Sequence, residues 1–333
     1  MNDAASSTPQ ASGDWEVPNL TSMVFRGLGF ESQPAGSQAL ISTPSQARLF
    51  RCFRVFFGVV WLYDTWTASS GATRHALAQF LGSPISSPWV HIAGAAIFFL
   101  DLYIALTLLS GKGMRSALWI GIVYLLVMWI AVEHGGDFNP GAGGTDPGIA
   151  PPYLIALILT CTTWRISQPA ATPAERGLAL RWAHAAQLMF GFLWAWDALF
   201  KLQPYFFTRF VSFLSGAEAG QPAWIVAWLH GWIALVMFIS PVLFAVLAAI
   251  AEVVIAWSLL SGKLLRIMLP IGLIYSLMVW STAEGFGGPF GMGTTGMPGN
   301  MFGLAVIYAL IFGYLMVLYR WPISHLTGTD TQP

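Results

Sequence analysis

Charge is scarce in this sequence. Only 9% of its 333 residues are Asp, Glu, Lys or Arg, against about 25% in ordinary soluble domains. Fifteen acids balance fifteen bases, so there is no basic field to hold a nucleic-acid backbone, and no nucleic-acid partner is expected. Cysteine is scarcer still. Cys52 and Cys161 form neither CxxC nor CxxCH, which leaves thioredoxin-type redox chemistry and c-type haem attachment without support; both read as small buried apolar residues. GxGxxG after a strand, the P-loop and HExxH are also missing, so no nucleotide site is expected. His184 and His230 lack matched partners, which argues against a bis-histidine haem. Residues 1–47 have neither the charged start, the apolar stretch nor the cleavage site of a signal peptide. They are expected to form a disordered cytoplasmic tail, with residues 322–333 as a second tail.

What the chain has instead is apolar length. Hydrophobic residues make up 56% of it, and runs near 18 residues or more read as membrane-spanning helices. Eight such runs occur, at about 50–67, 89–109, 114–132, 149–165, 182–200, 241–260, 264–283 and 301–319. Ser240-Pro241 should divide the continuous stretch 223–260 into an interfacial helix (224–239) and a span. With the amino terminus inside, twelve Lys and Arg residues fall on the cytoplasmic side and only Arg74, Lys201 and Arg209 outside, the expected positive-inside bias. The expectation is an all-α integral membrane protein of a bacterial or archaeal inner (plasma) membrane, multi-pass, with both termini cytoplasmic and lipid as its immediate neighbour.

The chain is also written twice. Residues 101–136 align without gaps on 252–287, with 16 of 36 positions identical at an offset of 151. Upstream, FGVVWLYD (57–64) matches FGFLWAWD (190–197) at an offset of 133, so the second copy carries an insertion of 151 − 133 = 18 residues between these blocks. Each copy is a four-span repeat, 48–167 and 181–321, joined by a Pro/Ala/Thr-rich linker (168–180). An even number of spans gives both copies the same topology, a parallel repeat.

Acids recur with the repeat. Asp64, Asp101 and Glu133 in the first copy match Asp197, Glu252 and Glu284 in the second. Ionisable side chains within spans are costly and usually face the bundle interior, marking proton, ion or substrate routes. The alternative is that they hold helices together. Trp61, Trp194, Trp129 and Trp280 sit three or four residues before an acid, on that acid's helical face. Asp197 also has Lys201 four residues on, an ion pair in reach, whereas Asp64 has Ala68 there and must find its partner elsewhere, Arg74 being one choice.

The outer loops differ. EHGGDFNPGAGGTDPG (133–148) carries His134, Asp137 and Asp146, while EGFGGPFGMGTTGMPG (284–299) has no titratable group after Glu284. On that contrast the first copy is the expected chemical one, with Asp64, Asp101 and Glu133 carrying protons and His134 as an acid/base group near neutrality. Met292, Met297 and Met301 form a thioether set of the kind that suits Cu(I), without a supporting His or Cys.

Taken together, GFLWAWDALFKLQ (191–203), EVVIAWSLLSGKLLRI (252–267) and the Gly-rich 284–310, with GVVWLYDTW (58–66), DLYIALTLLSGKGMRS (101–116) and 133–148 in the first copy, resemble the DoxX/DoxD type of four-span membrane protein. The resemblance covers about 48–166 and 181–319. It implies the membrane subunit of an oxidoreductase that passes electrons from a small sulfur compound such as thiosulfate to quinone, with quinone as cofactor and a partner subunit alongside. A proton-coupled transporter or channel, and a non-enzymatic assembly or accessory protein, fit the acid pattern too.

Overall fold

Periodic apolar sequence, few internal breakers and proline-marked starts predict helices, and helices are what form. The computed structural model describes residues 44–68, 71–131, 133, 135–136, 147–287 and 302–319. All its elements are α-helical: α1 (Pro44–Ala68), α2 (Gly71–Phe80), α3 (Pro88–Ser110), α4 (Met114–Ala131), α5 (Ala150–Ile166), α6 (Pro173–Lys201), α7 (Pro204–Thr208), α8 (Phe210–Gly216), α9 (Ala223–Ile239), α10 (Pro241–Ser261), α11 (Leu265–Ser281) and α12 (Leu304–Leu318). Two of them, α3 and α10, are long and apolar enough to cross a membrane, and α4, α9, α11 and α12 are shorter apolar helices.

A helix occupies each of the eight expected apolar segments. Two begin well ahead of the apolar run. The α6 helix starts at Pro173, inside the stretch read as linker, because Thr172 and Glu175 form a capping box: Glu175 N–H donates to Thr172 Oγ1 and Thr172 N–H to Glu175 Oε2, at 3.3 and 2.9 Å. Glu175 also pairs with Arg165 at the end of α5, tying the two helices across their connection. The break at Ser240-Pro241 is present. Ser240 leaves helical geometry with ψ 119°, its hydroxyl accepts from Leu243 N–H at 3.2 Å, and Pro241 opens α10. The short helices α2, α7 and α8 have no long apolar run and were not anticipated.

The fourth helix of each half, α5 and α12, forms the centre. Residues Pro152–Thr163 and Ala305–Leu315 are buried on every side, which is why these helices are apolar all round rather than along one stripe. They pack on each other and bond through Thr160 Oγ1 to Tyr314 OH at 2.9 Å. Around them α1 packs on α3, α6 on α10, α4 on α5 and α11 on α12. The outward faces instead expose large apolar side chains, among them Phe99, Val123, Phe192, Leu247 and Ile274.

The two halves use the same local devices. LLSGK ends α3 and α10 in one turn, with Gly111 and Gly262 at φ 73° and 71° donating back to Thr107 and Ser258. That left-handed conformation suits glycine, which has no Cβ to clash. Close helix contacts recur as well. A Cβ on Gly58 would meet Leu109 and one on Gly191 would meet Leu260, while Gly121 abuts Leu157 and Gly272 the ring of Phe312.

Replacing Gly272 by Val should therefore overpack the α11–α12 contact and destabilise the protein by about 1–3 kcal/mol, read as a lower thermal midpoint in detergent. Gly177→Ala, where nothing lies within 4 Å of the new Cβ, should leave that midpoint unchanged or raise it.

Candidate functional site

A buried carboxylate needs donors, and the six acids find theirs in three layers. The outermost layer is a cap. Glu133 accepts from Ala150 N–H at 3.3 Å, and Glu284 accepts from Leu304 and Ala305 N–H at 3.0 Å, so each acid satisfies unpaired amides at the start of α5 or α12. The neighbouring indoles complete the arrangement: Trp129 Nε1 donates to Pro147 O and Trp280 Nε1 to Phe302 O, at 2.8 and 2.6 Å. Glycine is required beside each acid, since a Cβ on Gly148 or Gly303 would fall on the carboxylate.

Deeper in the first half lie Asp101 and Asp64, only 6% and 5% exposed. Asp101 accepts from Trp61 Nε1 at 2.9 Å through Oδ1 and from Tyr124 OH at 3.0 Å through Oδ2. Asp64 Oδ2 accepts from Tyr153 OH, whose ring packs edge-on against Trp61. Trp61 thus serves the acid of the neighbouring helix, not the acid three residues on, as its spacing led us to expect. The partner tyrosines were missed altogether. Tyr124 and Tyr275 were in view as identical positions in the aligned block; Tyr153 and Tyr308 are offset by 155 rather than 151 and fell out of register when the outer loop changed length.

The second half repeats the bonds with changes. Tyr308 OH donates to Asp197 Oδ2 at 3.1 Å, and Tyr275 OH donates to Glu252 Oε1 at 2.8 Å. Lys201, expected beside Asp197, has its Nζ 3.7 Å from Glu252 Oε1 and 5.4 Å from the centre of the Phe206 ring. Trp194, at the position matching Trp61, makes no hydrogen bond through Nε1. Glu252 Oε2 and Ser276 Oγ are likewise buried without a partner among the described residues.

Those three unpaired atoms belong to residues that line one cavity of about 530 Å³. Asp197, Lys201 and Tyr308 line it too, and Pro147 reaches it from the first half. Part of its wall is aromatic, with Phe206, Phe210 and Phe213 from α7 and α8. At the upstream offset of 133 these two short helices match α2 of the first half, and the inserted residues fall instead at α9, none of whose residues line the cavity. This cavity is lined mainly by the half whose outer loop looked inert, because loop polarity says nothing about how distant helices pack.

Comparison with protein-family models, with curated proteins and with solved structures returns no match. The site is therefore read from its own geometry.

Other expected site residues are scattered or undescribed. His134, Asp137, Asp146, Met292, Met297 and Met301 lie outside the described residues. Among those described, no group of three or more His, Cys, Asp or Glu could hold a metal ion. His230 is exposed, 3.2 Å from Glu218, and His184 is half-buried on α6. Cys161 is buried as expected, but Cys52 is exposed on the outer face of α1.

Two substitutions probe these layers. Tyr124→Phe leaves Asp101 Oδ2 without its donor and should cost about 1–3 kcal/mol of stability. Glu284→Ala uncaps α12 and should cost about 0.5–2 kcal/mol. Both are read as shifts of the thermal midpoint.

Proposed function

We propose that the chain is a multi-pass membrane protein with eight spans, built as two parallel four-helix repeats, with α9 as an interfacial helix and both termini on the cytoplasmic side. Support comes from the recurrence of the acid–tyrosine bonds, the capping acids and the LLSGK turn in both halves, and from the large apolar side chains on the outward faces. Phe238 is 89% exposed. Exposed apolar side chains in this number are a liability in water and favourable against lipid chains.

Within that architecture we propose the membrane subunit of a quinone-linked oxidoreductase that accepts electrons derived from a small sulfur compound such as thiosulfate. The observation that carries it is the second-half cavity, where an apolar aromatic wall meets Lys201, Glu252, Asp197 and unpaired buried polar atoms. A quinone fits this donor set. Trp194 Nε1 and Ser276 Oγ would hold its oxygens, and Phe206, Phe210 and Phe213 would flank its ring and tail. When bound it supplies the electron acceptor; the chain supplies position and protons. Glu252 Oε2 has a free lone pair at which a proton can be held, while Tyr275 and Lys201 keep the other oxygen oriented. Proton handling is therefore assigned to Asp197 and Glu252 rather than to Asp64, Asp101 and Glu133.

A second reading applies to the first half. Both oxygens of Asp101 accept a hydrogen bond from another helix, the pattern of an acid that joins α1, α3 and α4. There the acids act as assembly elements.

Protein in lipid nanodiscs should reduce decylubiquinone when given thiosulfate or sulfide, alone or with the products of neighbouring genes. Glu252→Gln should lower that rate roughly a hundredfold with the thermal midpoint shifted far less than in Tyr124→Phe. No substrate-dependent quinone reduction by the wild type would sink the assignment.

A further inference from the structure

Trp61 and Asp101 are bonded to each other in the first half. Their counterparts Trp194 and Glu252 are not: the indole N–H and one carboxylate oxygen are buried without a partner in residues that line the second-half cavity and are only 3% and 4% exposed. Lys201 accounts for part of the change. Nothing basic stands at its counterpart, Ala68, and in the second half its ammonium draws near Glu252 Oε1, the oxygen Tyr275 already uses. The remaining oxygen, Oε2, is left for something else.

That leftover set has a definite chemistry. Trp194 Nε1 only donates and an ionised Glu252 Oε2 only accepts, while Ser276 Oγ, 1% exposed on the same wall, can do either. A ligand head that only accepts, such as a carbonyl or ether, answers Trp194 and leaves the carboxylate oxygen buried and unpaired, which is costly. A simple metal cation answers the carboxylate but meets an indole N–H and the Lys201 ammonium in the same space. A hydroxyl both accepts and donates, and satisfies both groups. The rest of the ligand meets phenylalanine rings from α7, α8 and α10, so its body is apolar.

We infer that the second-half cavity recognises a phenol- or quinol-type hydroxyl head on an apolar body, with Trp194 donating to it and Glu252 Oε2 accepting from it, and discriminates against the same molecule without the O–H. This rests on the cavity being the ligand site proposed above, and there it means that the reduced, hydroxyl form of the electron carrier is held more tightly than the oxidised form. The specificity belongs to the second half alone, because in the first half the matching acid already has a donor on each oxygen.

A matched pair of probes tests this without any redox chemistry. Full-length protein in lipid nanodiscs is titrated by equilibrium dialysis with para-nonylphenol and with its methyl ether, para-nonylanisole, against empty nanodiscs. The phenol should bind saturably and at least about tenfold more tightly than the ether, the effect of one hydrogen bond to a charged group. Glu252→Gln should narrow that ratio. Ser276→Ala, which removes no bond made within the protein, should weaken the phenol without shifting the thermal midpoint. Equal affinity for the two probes overturns the inference, as does partition into lipid with no saturable component. A phenol preference that persists in a protein unable to reduce quinone refutes the redox assignment and leaves the hydroxyl site standing.

Discussion

A carboxyl group surrounded by apolar helices has no water to bind, so its hydrogen bonds must come from the protein, and an unmet one costs several kcal/mol in a hydrocarbon setting. Much of the arrangement here follows from that requirement. Asp64 and Asp197 recruit Tyr153 and Tyr308 from the central helices α5 and α12, and Asp101 and Glu252 recruit Tyr124 and Tyr275 from α4 and α11. Each bond crosses between helices, so meeting the acid also fixes which helices adjoin. Glu133 and Glu284 meet the same need from the other side, since they take amides that the starts of α5 and α12 would otherwise leave open.

Against that shared frame, small differences between the halves have large consequences. Asp101 is short and sits between two donors; Glu252 is one methylene longer, shares an oxygen between Tyr275 and Lys201, and leaves the other free. In the second half α7 and α8 stand where the first half has α2, and their phenylalanines form part of the cavity wall beside Glu252. One half therefore closes its polar groups on one another, and the other leaves buried polar groups unpaired in the wall of a largely apolar cavity.

The helices were legible in detail. Apolar length located all eight main segments, Ser240-Pro241 marked a break, and the capping box at Thr172–Glu175 could have corrected the start of α6. The acids were legible too, because their recurrence at offsets of 133 and 151 set them apart from chance. Their partners were not. Tyr124 is 23 residues from Asp101 and Tyr153 is 89 from Asp64, separations at which spacing along one helix carries no information. Lys201 shows the same limit: its ammonium comes within 3.7 Å of Glu252 on α10, a contact that its place four residues after Asp197 does not reveal.

By itself, then, the sequence determined the helices, the repeat and the identity of the acids, because these depend on local composition and on comparison of one copy with the other. Only the tertiary structure decided which donor meets which oxygen, and that Glu252 lines a cavity. Both depend on how side chains from distant helices fill volume together, and two nearly matching stretches of sequence can fill it differently when one lysine and the phenylalanines near it differ.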